Sequence, residues 1–194
     1  MGDDGKGATG EMIAWPLERL SRLMRAKEHD GGLNPAQWEA LRYLSRANRF
    51  SNSPGALTRY LGATKGTISQ TVKALERKGF IIKGEREGER RSVTLVLTEK
   101  GVQALTGDSW AALAKAADGL GGKTRRRLVK GVGELLAGEL EKGRHLSFGQ
   151  CPTCRYFREK GRDGDRRGPH QCMLLDQPLS PADTHRICVE HVAG

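Results

Sequence analysis

Cys151, Cys154, Cys172 and Cys188 are the only cysteines of the 194-residue chain, and all four fall in its last quarter. The first two form a Cys-x2-Cys pair; seventeen residues then precede Cys172 and fifteen more precede Cys188. Four thiolates suit a tetrahedral zinc ion or an iron–sulfur cluster. A Cys-x2-Cys turn brings two sulfurs to one ion, whereas the other two ligands arrive singly, so the pattern is weaker than a doubled pair and stronger than a lone one. In a reducing compartment, clustered thiols hold metal more often than they form disulfides. One metal centre ligated by these four cysteines is therefore expected, with zinc as a structural staple first and an iron–sulfur cluster second. His170, His185 and His191 lie in the same stretch and could replace a thiolate, but each reads individually as a hydrogen-bonding surface histidine. A thioredoxin-like role for Cys151-Pro152-Thr153-Cys154 ranks third, because the strand and helix it needs are not evident nearby.

A second constellation lies upstream. On a helix expected from Lys65 to Lys78, Ile68, Val72 and Leu75 share one side, and Gly66, Gln70, Lys73 and Arg77 share the other. Gln70 can pair bidentately with adenine and Lys73 with guanine or phosphate, while Gly66 allows close backbone approach. Thr64, Lys65 and Thr67 at the helix start offer amide hydrogens and hydroxyls to a phosphate. Arg86, Arg90 and Arg91 follow, alternating with Glu85, Glu87 and Glu89, so only some of these arginines can face DNA. Any one such helix is by default an ordinary solvated amphipathic surface. The ordered set around it shifts that balance.

The elements that must position these residues are legible from periodicity and caps. Ile13, Leu17, Leu20 and Met24 recur at helical spacing up to about Lys27, with Pro16 tolerable only near the first turn. Asn34-Pro35 opens a helix that buries Trp38, Leu41 and Leu44. Ser53-Pro54 opens a short one that Gly62 ends, and Thr64 caps the next, closed by Gly79. Two helices around a glycine turn make a helix-turn-helix. Phe80 to Leu97 reads as a hairpin with a charged tip, Thr98 to about Asp118 as one helix, and Lys123 to Lys142 as a last long helix. Arg158 to Gly168 looks like an exposed loop. Phe148, Tyr156, Phe157, Met173, Leu174, Leu175, Leu179 and Ile187 amount to a small cap that needs metal to fold.

The chain thus divides into a flexible start at 1–10, a helical and winged body at 11–142, and a cysteine-rich tail at 143–194. Formal charge is +10, and residues 59–91 hold nine Lys or Arg against four Glu, so the excess gathers on one stretch and favours a polyanionic partner. No apolar run approaches a membrane span, and the acidic, glycine-rich start is unlike a signal peptide, so a cytoplasmic protein without membrane partners is expected. No nucleophile and base pair argues for an enzyme, and four thiolates leave a metal no open position for catalysis.

The segments Leu33-Asn34-Pro35-Ala36-Gln37-Trp38, Gly66-Thr67-Ile68-Ser69-Gln70-Thr71-Val72 through Lys78-Gly79-Phe80, and Glu89-Arg90-Arg91 through Leu97-Thr98-Glu99-Lys100-Gly101 together resemble the MarR family of bacterial winged-helix regulators. The resemblance covers roughly 11–142. It implies a mainly α fold with a small β-hairpin wing, and a homodimer formed by the first and last helices. It also implies two recognition helices on a roughly palindromic site in double-stranded DNA, and a wing arginine in the minor groove. Glu89 stands where the family usually has Asp, leaving Arg90 and Arg91 both open as that arginine. A repressor is the expected function, with a small-molecule or redox effector as a further partner; the alternative is a metal- or redox-sensing regulator in which an iron–sulfur cluster controls DNA binding.

Overall fold

The computed structural model describes residues 7–29, 32–86, 89–142 and 148–194, with backbone alone for 29, 86 and 89–92. Most of the expected flexible start, the hairpin tip at 87–88 and the first residues of the tail lie outside these.

Helix α1 spans Gly10–Ala26 and carries Pro16 in its interior rather than in its first turn. Pro16 is thus not confined to the helix start: a proline forfeits one hydrogen bond to the preceding turn, and this helix continues past that loss. Helix α2, Pro35–Arg46, begins as its cap dictates. Asn34 accepts from Gln37 N–H and the Gln37 side chain answers the Asn34 N–H, a reciprocal box with proline at the first helical position. Ser53 caps α3, Pro54–Leu61, and Gly62 ends it at φ 61°, a left-handed conformation that costs glycine little. Thr64 caps α4, Lys65–Arg77.

Strands β1, Ile81–Arg86, and β2, Glu89–Leu97, form the antiparallel wing, with Ile81 opposite Leu97 and a register shift at Glu85/Arg86. One core joins these elements: Leu41, Leu57, Leu75, Ile81 and Leu95 are fully buried, each contributing about 1.5–3 kcal/mol by burial.

The expected single helix after the wing is two, α5 at Glu99–Thr106 and α6 at Ser109–Asp118. The break has a physical cause. Asp108, in the interruption, turns inward and accepts two hydrogen bonds from Arg42 of α2, at 2.8 and 3.0 Å, an arrangement that a continuous helix would not favour. Helix α7, Gly122–Lys142, buries no residue, and neither does α1.

The tail forms a small sheet of β3, Phe157–Arg158, β4, His170–Cys172, and β5, Gln177–Leu179, followed by a one-turn helix α8, Pro181–Thr184. Met173 and Leu174 stay exposed, Phe148 and Ile187 pack against the main core, and Val189 belongs to it. Three apolar residues of the tail thus go to the body, a contact that no local pattern announces, while Leu179 is buried outside that core. Part of the expected Arg158–Gly168 loop is also inside: Gly168 is buried, and a Cβ there would stand 2.2 Å from the Leu179 carbonyl oxygen.

Candidate nucleic-acid interface and cysteine cluster

Helix α4 turns Ile68, Thr71, Val72 and Leu75 into the core. That fixes the rotation of the helix, so Lys65, Gly66, Thr67, Gln70, Lys73 and Arg77 are all exposed. At its start Thr64 Oγ1 accepts from Thr67 N–H at 3.2 Å and lies 2.9 Å from Thr67 Oγ1, leaving both hydroxyls at the surface beside the helix N-terminus.

Among the described residues, no ion pair or side-chain hydrogen bond holds Lys65, Lys73 or Arg77, whereas neighbouring cations are committed. Lys78 Nζ donates to the Gly32 carbonyl and Gln37 Oε1, Lys83 pairs with Glu76 at 2.6 Å, and Arg59 pairs with Glu190. The free cations of α4 therefore share one outward face. The side chains of Arg86, Arg90 and Arg91 lie outside the described residues, although their backbone belongs to the wing strands.

The cysteines are brought together by backbone pairing. Cys154 N–H donates to the Cys151 carbonyl at 2.9 Å and closes the Cys-x2-Cys turn. Cys188 pairs with Gly149 in both directions, which sets it two residues from Cys151 across the bridge. Cys172 lies opposite Phe157, whose N–H bonds to the Cys154 carbonyl. All four are free thiols. Burial pushes the Cys151 thiol up to about 12, and the charges of Cys188, Cys172, Cys154 and Asp183 push the same way. Among the described residues, no three His, Cys, Asp or Glu side chains are gathered tightly enough to hold an ion.

The histidines do not behave alike. His185 is exposed, and His170 is half-buried against the Phe157 ring at 5.5 Å. His191 corrects the surface assignment: it is buried, its Nε2 is 3.0 Å from Thr153 Oγ1, and its ring lies where a Cβ on Gly149 would come within 2.6 Å. It wedges the Cys151 turn against the Cys188 segment.

Sequence reasoning missed a further group. Asn48 and Ser51, in the α2–α3 connection, are buried and lie beside Cys188. Burial raises the Cys188 thiol, and donors from Glu190 N–H, Asn48 and Ser51 oppose that rise. Nothing local could have linked positions so far apart in the chain.

Residues 31–92, which hold α2 through most of the wing, match a family model described as the MarR family. This segment is similar to the MarR family and folds as a winged helix-turn-helix. Transcriptional repressor MprA of Escherichia coli K12 is 30% identical over 89 residues, 46% of this chain and 48% of the relative, so the chain spans about half the length of the curated relatives it matches. The MarR-type fold also recurs in a MarR transcriptional regulator from Methanosarcina mazei Go1, at TM-score 0.51 and 23% identity over 68% of this chain and 98% of that one. A Staphylococcus aureus MepR–DNA complex matches at TM-score 0.50 and 18% identity, with the same coverage. No helix among the described residues is long and apolar enough to cross a membrane.

Proposed function

We propose that the protein is a sequence-specific DNA-binding transcriptional regulator, a repressor that occupies a palindromic operator as a homodimer. The observation that carries this reading is the face of α4, where Lys65, Gln70, Lys73 and Arg77 are exposed around cations left unpaired among the described residues. The MarR-type lobe, the name of the MprA relative and the DNA in the MepR complex all favour it. Thr64 and Thr67 would take phosphate at the helix start, with Arg86, Arg90 and Arg91 on the wing. A second copy is the natural cover for α1 and α7, which expose Met12, Ile13, Trp15, Val129, Val132, Leu135 and Leu136.

Replacing Lys73 and Arg77 together by Ala is expected to weaken operator binding by about 1–3 kcal/mol per residue and to lower the salt slope by about one for each phosphate contact removed. Fluorescence anisotropy across a salt series measures both; an unchanged affinity would remove this face from the interface.

The same reading gives the tail a metal centre held by Cys151, Cys154, Cys172 and Cys188, with zinc as a structural staple. What supports it is the chemistry of the donors: four free thiols lie in one small module, and the buried Asn48 Nδ2 near Cys188 is without a hydrogen-bond partner among the described residues. Zinc would supply four Zn–S bonds and nothing redox-active. Chain purified without oxygen is expected to be a colourless dimer with one zinc per protomer, read by light scattering and metal analysis. A brown protein with iron and sulfide would replace zinc by the iron–sulfur alternative, and a metal-free one would end the metal reading.

A further inference from the structure

Helix α7 has 21 residues and buries none of them, and its sequence is organised about its centre. Val132 stands midway between Lys123 and Glu141. Counted outward from Val132, Gly131 mirrors Gly133, Val129 mirrors Leu135 and Leu128 mirrors Leu136. Every glutamate of the helix mirrors a cation: Glu134 and Lys130, Glu139 and Arg125, Glu141 and Lys123. Size and apolarity repeat across the centre, while charge inverts.

Nothing inside the protomer accounts for this order. The first two turns hold Lys123, Arg125, Arg126 and Arg127 without an acid, and all three glutamates come in the second half. A helix dipole favours the opposite arrangement. Glycine inside a helix also lowers its stability, yet a Cβ on Gly131 or Gly133 would meet nothing within 4 Å, so no contact of the protomer requires either one. Arg125, Val129, Val132, Leu136 and Glu139 follow one another at four, three, four and three residues and so form one stripe. Val132 is 47% exposed, Leu136 59% and Val129 76%. The two charged ends have exposed local partners, Asp118 at 3.5 Å from Arg125 and Lys142 at 2.9 Å from Glu139, but a guanidinium or a carboxylate has room for a second.

We propose that α7 packs antiparallel on α7 of a second copy, crossing at Val132, with Arg125 of each chain facing Glu139 of the other. A two-fold axis through the crossing sets every residue opposite its mirror. Leucine then meets leucine, the glycines thin both helices where their backbones come closest, and each basic half lies along an acidic half. The conflict with the helix dipole is offset by the same contact. A parallel pair would set Arg125 on Arg125 and Glu139 on Glu139, and like charges reject that arrangement. This inference rests on the homodimer reading given above and adds the helix at the centre of the interface, its direction and its register.

The test exchanges the end charges in full-length protein: Arg125→Glu, Glu139→Arg and both together, with the dimer dissociation constant read by analytical ultracentrifugation at low salt. Each single exchange places like charges at both ends of the seam and is expected to weaken self-association by about 5-fold or more. The double exchange should return it to within about 2-fold of wild type. The two positions lie about 21 Å apart along one helix, too far to pair within a chain, so such a rescue requires a second copy. Repulsion from Asp118 or Lys142 persists in the double variant and cannot explain it. Replacing Gly131 and Gly133 by Ala should strengthen the helix, read by circular dichroism, yet weaken the dimer by about 5-fold. Wild type that sediments as a monomer overturns the homodimer reading itself. A wild-type dimer whose double exchange is no tighter than the single ones leaves that reading standing and overturns the antiparallel register. An alanine variant that dimerises as tightly as wild type overturns the close crossing at Val132.

Discussion

Replacing Arg42 by Leu is expected to lower folding stability by about 3–5 kcal/mol, the cost of leaving buried carboxylates without their cation. Arg42 bonds to both oxygens of Asp108 and to Glu28, whose side chains are 5% and 2% exposed, and it lies 5.9 Å from the Trp38 and Trp110 rings. Burial works against its charge, but the hydrogen bonds and charges of Asp108 and Glu28 outweigh that and raise its pKa. The three residues come from α2, from the turn after α1 and from the α5–α6 break, so this cluster joins the winged lobe to the helices proposed to pair two copies. Urea melts followed by circular dichroism measure the loss. Adding Glu28→Gln and Asp108→Asn to the Leu variant should recover much of it, because the orphaned charges are then gone. A Leu variant as stable as wild type would mean that solvent reaches these carboxylates freely.

The second large effect is expected from Gly101→Ala. An exchange of glycine for alanine inside a helix ordinarily gains about 1 kcal/mol. Here the sign should reverse, because the new Cβ would stand 2.2 Å from the Phe80 carbonyl oxygen and 3.3 Å from Leu97 Cδ2. The contact is with backbone, which cannot swing aside. Thr98 holds that backbone in place: its N–H bonds to the Phe80 carbonyl at 3.0 Å and its hydroxyl to the Gly79 carbonyl at 2.7 Å. The start of α5 must lift from the wing, at a cost of about 3 kcal/mol. The same melts give the answer; a neutral or stabilising Ala would show that α5 is free to slide against the wing.

These two positions mark the limit of what sequence could disclose. Asn34-Pro35, Ser53-Pro54 and Thr64 announce their helices because a cap acts within three residues of itself, and the α4 stripe is legible because its period is local. Gly101, by contrast, reads as a weak helical residue until the Phe80 carbonyl is beside it. The α5–α6 break depends on Arg42, 66 residues from Asp108, and no periodicity reports a partner at that distance. For the candidate sites the division is the same. Lys65, Gln70, Lys73 and Arg77 follow from helix phase alone. The cysteines follow from their type, but Asn48, Ser51 and the burial of His191 arise only once Ile187 and Val189 meet the α2–α3 turn.

That meeting also bears on how the molecule is made. Ser51 and Val189 are 138 residues apart. At the usual pace of synthesis the ribosome needs roughly 7–28 seconds to cover that distance, far longer than a small helical unit needs to collapse. The winged lobe therefore emerges with its α2–α3 turn unfinished and an apolar notch open where Val189 will sit. A nascent chain arrested before its final residues would keep that notch exposed, and would be a substrate for chaperones or proteases rather than a shortened but finished regulator.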